Sequence, residues 1–517
     1  MSKINLRRPR AVALAAIMSG TLLLAACSAP SGEPATDSPE AAAPDLAVAA
    51  VSAPNSLDTA QLVDGQQAFV WASVYDTLLA RDNRTGEVVS NAASSWEYND
   101  DGTVLTLELN PDMAFSNGDP VDAAAVAATM LRSKNTPGIV QPKFALVEDV
   151  VASDELTVEL TFSSFDPQFV YNLSLGAGAI GDPDSLDIPE AATNPVGSGP
   201  YTLNVAKSVP GTSYLLEKRE DYWNADAYPF PTVTVRVLQD PTASFNALQA
   251  GEINAATVQA QLIGQLDPNT FSTGVVEGQA IAYLDILDRG GEKWPALGDL
   301  RVRQAINHAI DREGILKGIY QGNGLTTTQS FSPAGDVWDE SLNENYDYDP
   351  EKGRKLVEDA GFAGEKFQIP STFLTTSVEA TLSQAFSDIG LALEWVAVPP
   401  QQAQSALQSG EYGLSFQITG SNSDPADAFF HYSVNGFGNP MHYTNPELDG
   451  FFDTINSTVD QEAALPAYQE LNEYAVDQAY EAPVSFINTT WATTDGISMQ
   501  AIAGVPATVR TFAFDGE

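Results

Sequence analysis

Residues 294–324, WPALGDLRVRQAINHAIDREGILKGIYQGNG, constrain the fold of this chain more than any other stretch. Asp299 stands where a helix N-cap belongs, with a carboxylate able to accept from the free amides of the first turn. Val302, Ala305, Ile306, Ala309 and Ile310 then follow the i, i+3, i+4, i+7, i+8 spacing of one buried helical face. Asp311 can cap a second helix with Ile315, Leu316 and Ile319 inward, and Gly322 and Gly324 release the chain. A pair of amphipathic helices this short must pack on something larger.

A chain of 517 residues is too long for one small core, and two or three domains are expected. Hydrophobic residues make up 44% of it, enough to bury sizeable cores despite a net charge of -44. That acidity opposes binding to nucleic acid or anionic membrane surfaces, because no basic face is available to release counterions. It suits solubility outside the cell.

The first 27 residues read as a processing sequence. Lys3, Arg7, Arg8 and Arg10 form a basic start, residues 11–26 a short apolar run, and Leu24-Ala25-Ala26-Cys27 its end. The run is too short for a comfortable membrane span. Cys27 is the only cysteine, which excludes an intrachain disulfide and favours an anchoring role over a structural one. The L-A-A-C ending resembles the lipobox of bacterial lipoproteins, which implies lipidation of Cys27; acyl chains then hold the protein by about 0.8 kcal/mol per buried methylene. Residues 28–45, SAPSGEPATDSPEAAAPD, lack apolar periodicity and read as a disordered tether.

Beyond the tether, short strands and helices alternate. Residues 46–51 read as an apolar strand before the turn Asn55-Ser56-Leu57-Asp58, and residues 68–80 as an amphipathic helix with Phe69, Trp71, Tyr75, Leu78 and Leu79 inward. Trp96-Glu97-Tyr98, an acidic turn and the alternating Leu105, Leu107 and Leu109 make a hairpin, and the turn lacks the ligand spacing of a calcium loop. A helix over 121–132 and a strand over 156–162 follow. The glycines of NPVGSGPY, 194–201, are not a phosphate cradle, since no P-loop lysine follows and Pro200 denies a helix start with free amides. A strand over 233–238 leads to a helix opened by Asp240-Pro241. Asp349 caps a further helix that ends at Gly361. Strands at 367–372 and 391–396 flank a helix over 378–389, and a late helix over 466–480 precedes a strand over 484–487.

Several of these phrases carry a resemblance. DLRVRQAINHAIDREGI with its glycine-rich turn and Ser332-Pro333, the passage from VYDTLL through DGTVLTLEL to FSNGDPVDAAAV, the NPVGSGPY turn and YDPEKGRKLVEDAGF are similar to patterns of the extracytoplasmic solute-binding proteins of ABC importers. The group is the peptide- and nickel-binding one called family 5, and the likeness runs from about Leu46 to Ile487. It implies an α/β fold, a two-lobed clamshell of the periplasmic-binding-protein type (class II), with an extra subdomain inserted in lobe one and a ligand enclosed between the lobes. Lobe one is then expected at 46–280 plus 485–517, with the inserted subdomain at about 75–190, and lobe two at 281–484. The crossings fall near Ala280 and Val484. The resemblance also implies a monomer without cofactor, held at the outer face of the cytoplasmic membrane, with an ABC permease and its ATPase as partners.

Residues 411–447, EYGLSFQITGSNSDPADAFFHYSVNGFGNPMHYTNPE, are where the chemistry is expected. They read as a strand over 413–419, a loop over 420–424 rich in small polar residues, and a helical turn beginning near Pro425. Such a loop offers backbone donors and acceptors to an extended ligand. Thr419, Gly420, Ser421, Asn422, Asp424, Phe437 and Asn439 are the candidate ligand contacts. By the resemblance this strand and its D-P loop line the cleft, and an aspartate there can receive a ligand ammonium. Asp424 matches that position, while a helix N-cap is the other account of it.

Two departures bear on the ligand. Gln417, Ile418, Thr419 and Gly420 stand where peptide-binding relatives commonly carry a tryptophan and then an acidic residue. No arginine accompanies Thr375-Thr376-Ser377 to hold a carboxylate, and a hydroxyl supplies neither the charge nor the bidentate geometry. A neutral or polyhydroxylated solute therefore stands open beside a peptide. His308, His431 and His442 lack metal-ligand spacing, and ordinary polarity accounts for the two that flank the cleft loop better than a metal does. No G-x-S-x-G elbow or zinc-protease helix marks catalytic residues. A surface hydrolase and a ligand sensor without transport are the alternatives to import.

Overall fold

The helix Leu300–Ala309 begins where Asp299 accepts from the Arg301 amide, and Arg312–Gly318 begins where Asp311 accepts from Gly314. Val302, Ala305, Ile306, Ala309 and Ile310 are buried, as their spacing requires. Asp349 likewise caps Pro350–Ala360 through the Lys352 amide, and Gly361 ends it in the left-handed conformation at φ 84°. This computed structural model describes residues 43–399 and 402–515. The processing sequence, Cys27 and all but the last three residues of the expected tether lie outside the described residues.

The fold is α/β and two-lobed. Its largest sheet runs in the order Leu414–Gly420, Phe271–Ile286, Glu481–Thr494, Ala255–Val258, Leu46–Ala50, Thr232–Val237, Ser213–Lys218 and Tyr201–Leu203, with Gly324–Thr326 also on Glu481–Thr494. Leu46–Ala50 pairs in parallel with both its neighbours, and the other pairings are antiparallel. A separate antiparallel sheet joins Ala93–Tyr98, Val104–Leu109, Thr157–Phe162 and Val147–Ala152. The expected strand-helix-strand is Lys366–Ser371, Glu379–Asp388 and Ala392–Ala397, its strands parallel.

The hydrophobic cores separate along the two longest strands. In Phe271–Ile286, Val276 belongs to a core with Leu46, Phe69 and Leu107, whereas Ala282 and Leu284 belong to another with Ile306 and Phe386. In Glu481–Thr494 the same division falls between Trp491 and Val484. A third core, around Phe331, Tyr432 and Leu471, lies under the helices Asp424–Tyr432 and Gln461–Asp477. The register of the two long strands slips between Val276 and Ala280, where Gly278 takes φ 62°.

Three expectations change. The helix expected over 68–80 ends at Val74, and Leu79–Arg81 is a strand, because the Leu78 and Leu79 amides bond instead to the Gly178 and Leu173 carbonyls. The late helix begins at Gln461 and not at 466, since Asp460 caps it and Pro466 lies inside. The strand expected over 484–487 runs from Glu481 to Thr494. In the NPVGSGPY turn, a Cβ on Gly197 would stand 2.2 Å from the Val74 carbonyl oxygen, so close backbone approach accounts for that glycine. Among the described residues no helix is long and apolar enough to cross a membrane.

Candidate functional site

Leu414–Gly420 pairs along Phe271–Ile286, which delivers the following loop to the wall of a cavity. Ser421 donates to the Gly278 carbonyl at 2.6 Å, and the Asp427 carboxylate accepts from the Asn422 side chain at 2.9 Å, so both residues at the start of the loop are pinned. Gly420, Ser421, Asn422 and Phe437 line a cavity of about 620 Å³. Across it stand Asp64, Lys143, Gln168, Tyr171 and Asn172. Its charges are already matched: Lys143 donates to Asp64 at 2.6 Å, and the other Asp64 oxygen accepts from the Gly176 amide at 3.0 Å. The remaining wall is amide, hydroxyl and apolar, including the stacked rings of Phe430 and Phe437, 5.2 Å apart. A wall of this kind suits a ligand with neutral polar groups and an apolar surface.

Asn422 and Tyr171 also line a second cavity, of about 350 Å³. Asp424 is found there and does not face the first one. Ser423, not Asp424, is the N-cap residue of Asp424–Tyr432. The Asp424 carboxylate instead accepts from the Asp336 and Val337 amides at 2.9 and 3.2 Å through one oxygen, and the other is buried with no partner among the described residues. Burial pushes this carboxyl up to about 6. Thr419 stays in the sheet opposite Ile281 and lines neither cavity. Asn439 is fully buried and spent on the backbone: it donates to Ser433 and Tyr443 and accepts from the Tyr443 amide. Asp58, in the turn after the first strand, is held by Arg132 at 2.7 Å and lines neither cavity.

Behind the loop lies a buried charged cluster that the sequence did not announce. Arg289 stands 3.3 Å from Asp285 and 3.6 Å from Glu481, and His431 is 2.8 Å from Glu481. Burial and the neighbouring Glu481 push Asp285 up to about 8. Burial acts on Glu481 too, yet His431 and Arg289 outweigh it and hold that carboxyl below its ordinary value. The His431 ring is turned to Glu481, and His442 to the Val434 carbonyl at 2.9 Å. Among the described residues no group of three or more His, Cys, Asp or Glu is arranged to hold a metal ion.

The loop 420–422 was legible as a polar turn after a strand. The facing wall was not, because Asp64, Lys143 and the pair Tyr171-Asn172 lie in three separate segments that share no spacing.

A sequence description of the bacterial extracellular solute-binding proteins, family 5 (middle region), matches residues 87–440. A glutathione-binding protein of Pectobacterium atrosepticum is 25% identical over 485 residues, covering 87% of this chain and 90% of that one. An oligopeptide-binding protein of Bacillus subtilis is 24% identical, covering 92% and 93%. Among solved structures, an ABC transporter substrate binding protein from Listeria monocytogenes superimposes with a TM-score of 0.77 at 21% identity, over 92% of this chain and 99% of that one. Matched over well more than half its length, and with the same two-lobed architecture, the chain belongs to family 5 of the bacterial extracellular solute-binding proteins.

Proposed function

We propose that this protein is the lipid-anchored binding component of an ABC importer, which captures an oligopeptide or similar small solute and passes it to a membrane permease driven by an ATPase. The observation that carries this reading is the 620 Å³ cavity walled by residues from both lobes. A ligand touching both walls binds the closed form more tightly than the open one, and only that difference can shift the population toward closure. The crossings between lobes fall near Ala280 and Val484; their support is the register slip after Val276 and the change of core along both long strands. In this reading Asp424, which lines the second cavity, receives a ligand ammonium, and Cys27 carries the lipid.

Mass spectrometry of the purified full-length protein is expected to release one class of small solute, chemically intact. The same solute, added back to stripped protein, raises the unfolding temperature without being consumed. Turnover of the bound molecule would overturn the reading in favour of a hydrolase. Cys27→Ser is expected to move the protein from the membrane fraction to the medium, and retention on the membrane would remove the anchor.

A further inference from the structure

The larger cavity holds one charged pair, and neither member of it is used up. Among the described residues that line it, only Lys143 and Asp64 carry charge. The Lys143 ammonium donates once, to Asp64 Oδ2 at 2.6 Å, and Asp64 Oδ1 accepts from the Gly176 amide at 3.0 Å. An ammonium has three donors and a carboxylate about four acceptor sites, so roughly two remain on each partner. The two side chains are 22% and 29% exposed where they line the cavity, so those valences can be reached. An ion brought against this neutral pair would shed its water and gain no counterion. A hydroxyl fits the pair better, because one O–H group accepts from Lys143 while it donates to Asp64.

The opposite wall repeats this preference. Asn422 spends both of its N–H bonds inside the chain, on the Gly420 carbonyl at 3.1 Å and on Asp427 at 2.9 Å, so its carbonyl oxygen is what it has left to offer. Phe430 is flanked by two rings, His431 at 4.9 Å and Phe437 at 5.2 Å between centroids. Among the described residues Phe430 is the one ring beside Phe437, which leaves the other face of Phe437 to the cavity it lines.

We infer that the larger cavity receives a neutral, polyhydroxylated ring, a pyranose either free or within a glycoside. One hydroxyl sits between Lys143 and Asp64, another donates to Asn422 Oδ1, and the C–H face of the ring lies on Phe437. This rests on the capture reading above and narrows its solute, whatever group Asp424 receives in the smaller cavity. C–H bonds carry a slight positive charge and suit the negative face of an aromatic ring. At about 620 Å³ the cavity is of the size that encloses a small molecule. A peptide bond matches less of this wall, since it offers one donor and one acceptor pointing opposite ways, and peptide termini find no unpaired charge here.

Isothermal titration of the stripped full-length protein with maltose, cellobiose, lactose, trehalose and trialanine tests this. At least one of the sugars is expected to bind, and trialanine is not. Lys143→Met should bind that sugar about tenfold or more weakly, the loss expected for a hydrogen bond to a charged group. Within the sugar's monodeoxy series, one member should bind Lys143→Met and the unaltered protein equally, because it lacks the hydroxyl seated on the pair. Loss of the same size for every member would make the pair structural and overturn the socket. Phe437→Leu should weaken the sugar about fivefold, and Phe437→Trp should not. Equal binding by both would remove the ring face from the site. Failure of every sugar on the unaltered protein overturns the inference whether or not the variants fold, and so does a co-purifying solute without a hydroxylated ring. Either result leaves the capture reading standing if trialanine binds or any intact solute co-purifies. With no probe bound and nothing co-purifying, both are overturned.

Discussion

Arg312 is a buried cation with no carboxylate against it among the described residues. Its guanidinium donates to the carbonyls of Thr327, Pro483, Asn307 and Tyr346 and to the Asn307 side-chain oxygen, at 2.7 to 3.3 Å. Burial lowers its pKa to about 10, which leaves it charged at neutral pH. It fastens the loop after Gly324–Thr326 to the long strand Glu481–Thr494, so the charge is used to gather backbone. Arg312→Met leaves five acceptors without a donor, and a loss of about 3 kcal/mol is expected from the midpoint of urea unfolding. Arg312→Lys should restore little of it, because one ammonium cannot reach the span that a planar fork covers. A lysine variant as stable as the parent would show that the charge, and not the fork, holds the loop.

Four helices were legible in the sequence because a capping aspartate preceded a regular apolar stripe, and Asp240, Asp299, Asp311 and Asp349 all cap as expected, whereas the cap Asp460 was missed. The longest strand was not. Phe271–Ile286 opens as FSTGVVEGQA, whose glycines and broken alternation hide a strand that is regular only through its partners. Its irregular point is also its joint with the site. Gly278 sits at φ 62°, its amide donates to the Asn488 side chain at 2.9 Å, and its carbonyl accepts from Ser421 of the cleft loop at 2.6 Å. The charged cluster was hidden for a similar reason, since Asp285, His431 and Glu481 meet only when distant strands and a helix are assembled. Gly278→Ala keeps the sheet but forces a side chain into the left-handed region, at a cost of about 1 kcal/mol. Amide exchange is then expected to quicken at 276–280 and at 420–422 together. Quickening confined to the first segment would mean that the bulge and the cleft loop are not coupled.

Across the whole molecule, acidity should stabilise the fold. Burial pushes the carboxyls of Asp76, Asp166 and Asp424 up to about 6, Asp427 to about 7, and Asp285 to about 8. Between about pH 4, where the unfolded chain has released these protons, and those higher values, the folded protein binds more protons. Stability therefore falls as pH rises through that window. His431 acts in the same sense: burial alone would lower its pKa, but Glu481 raises it, so its contribution is full below its unfolded value and lost above the folded one. His308, lowered by burial, opposes them from the other side. Glu481 and Asp58, held low, withdraw their support only in stronger acid. The net charge of -44 also favours acid, through self-repulsion that protonation relieves. Salt separates the two causes, because repulsion between exposed charges is screened beyond about 10 Å at 0.1 M whereas buried groups are screened far less. Scanning calorimetry is expected to show the unfolding temperature falling from pH 5 to pH 8, with much of the slope surviving in 0.5 M sodium chloride, a buffer chosen at roughly five times that ionic strength. A slope abolished by salt would assign the effect to the surface and mean that these buried carboxyls are ionised as readily as exposed ones. A rising unfolding temperature over the same range would reverse the order of proton affinities between the folded and unfolded chains.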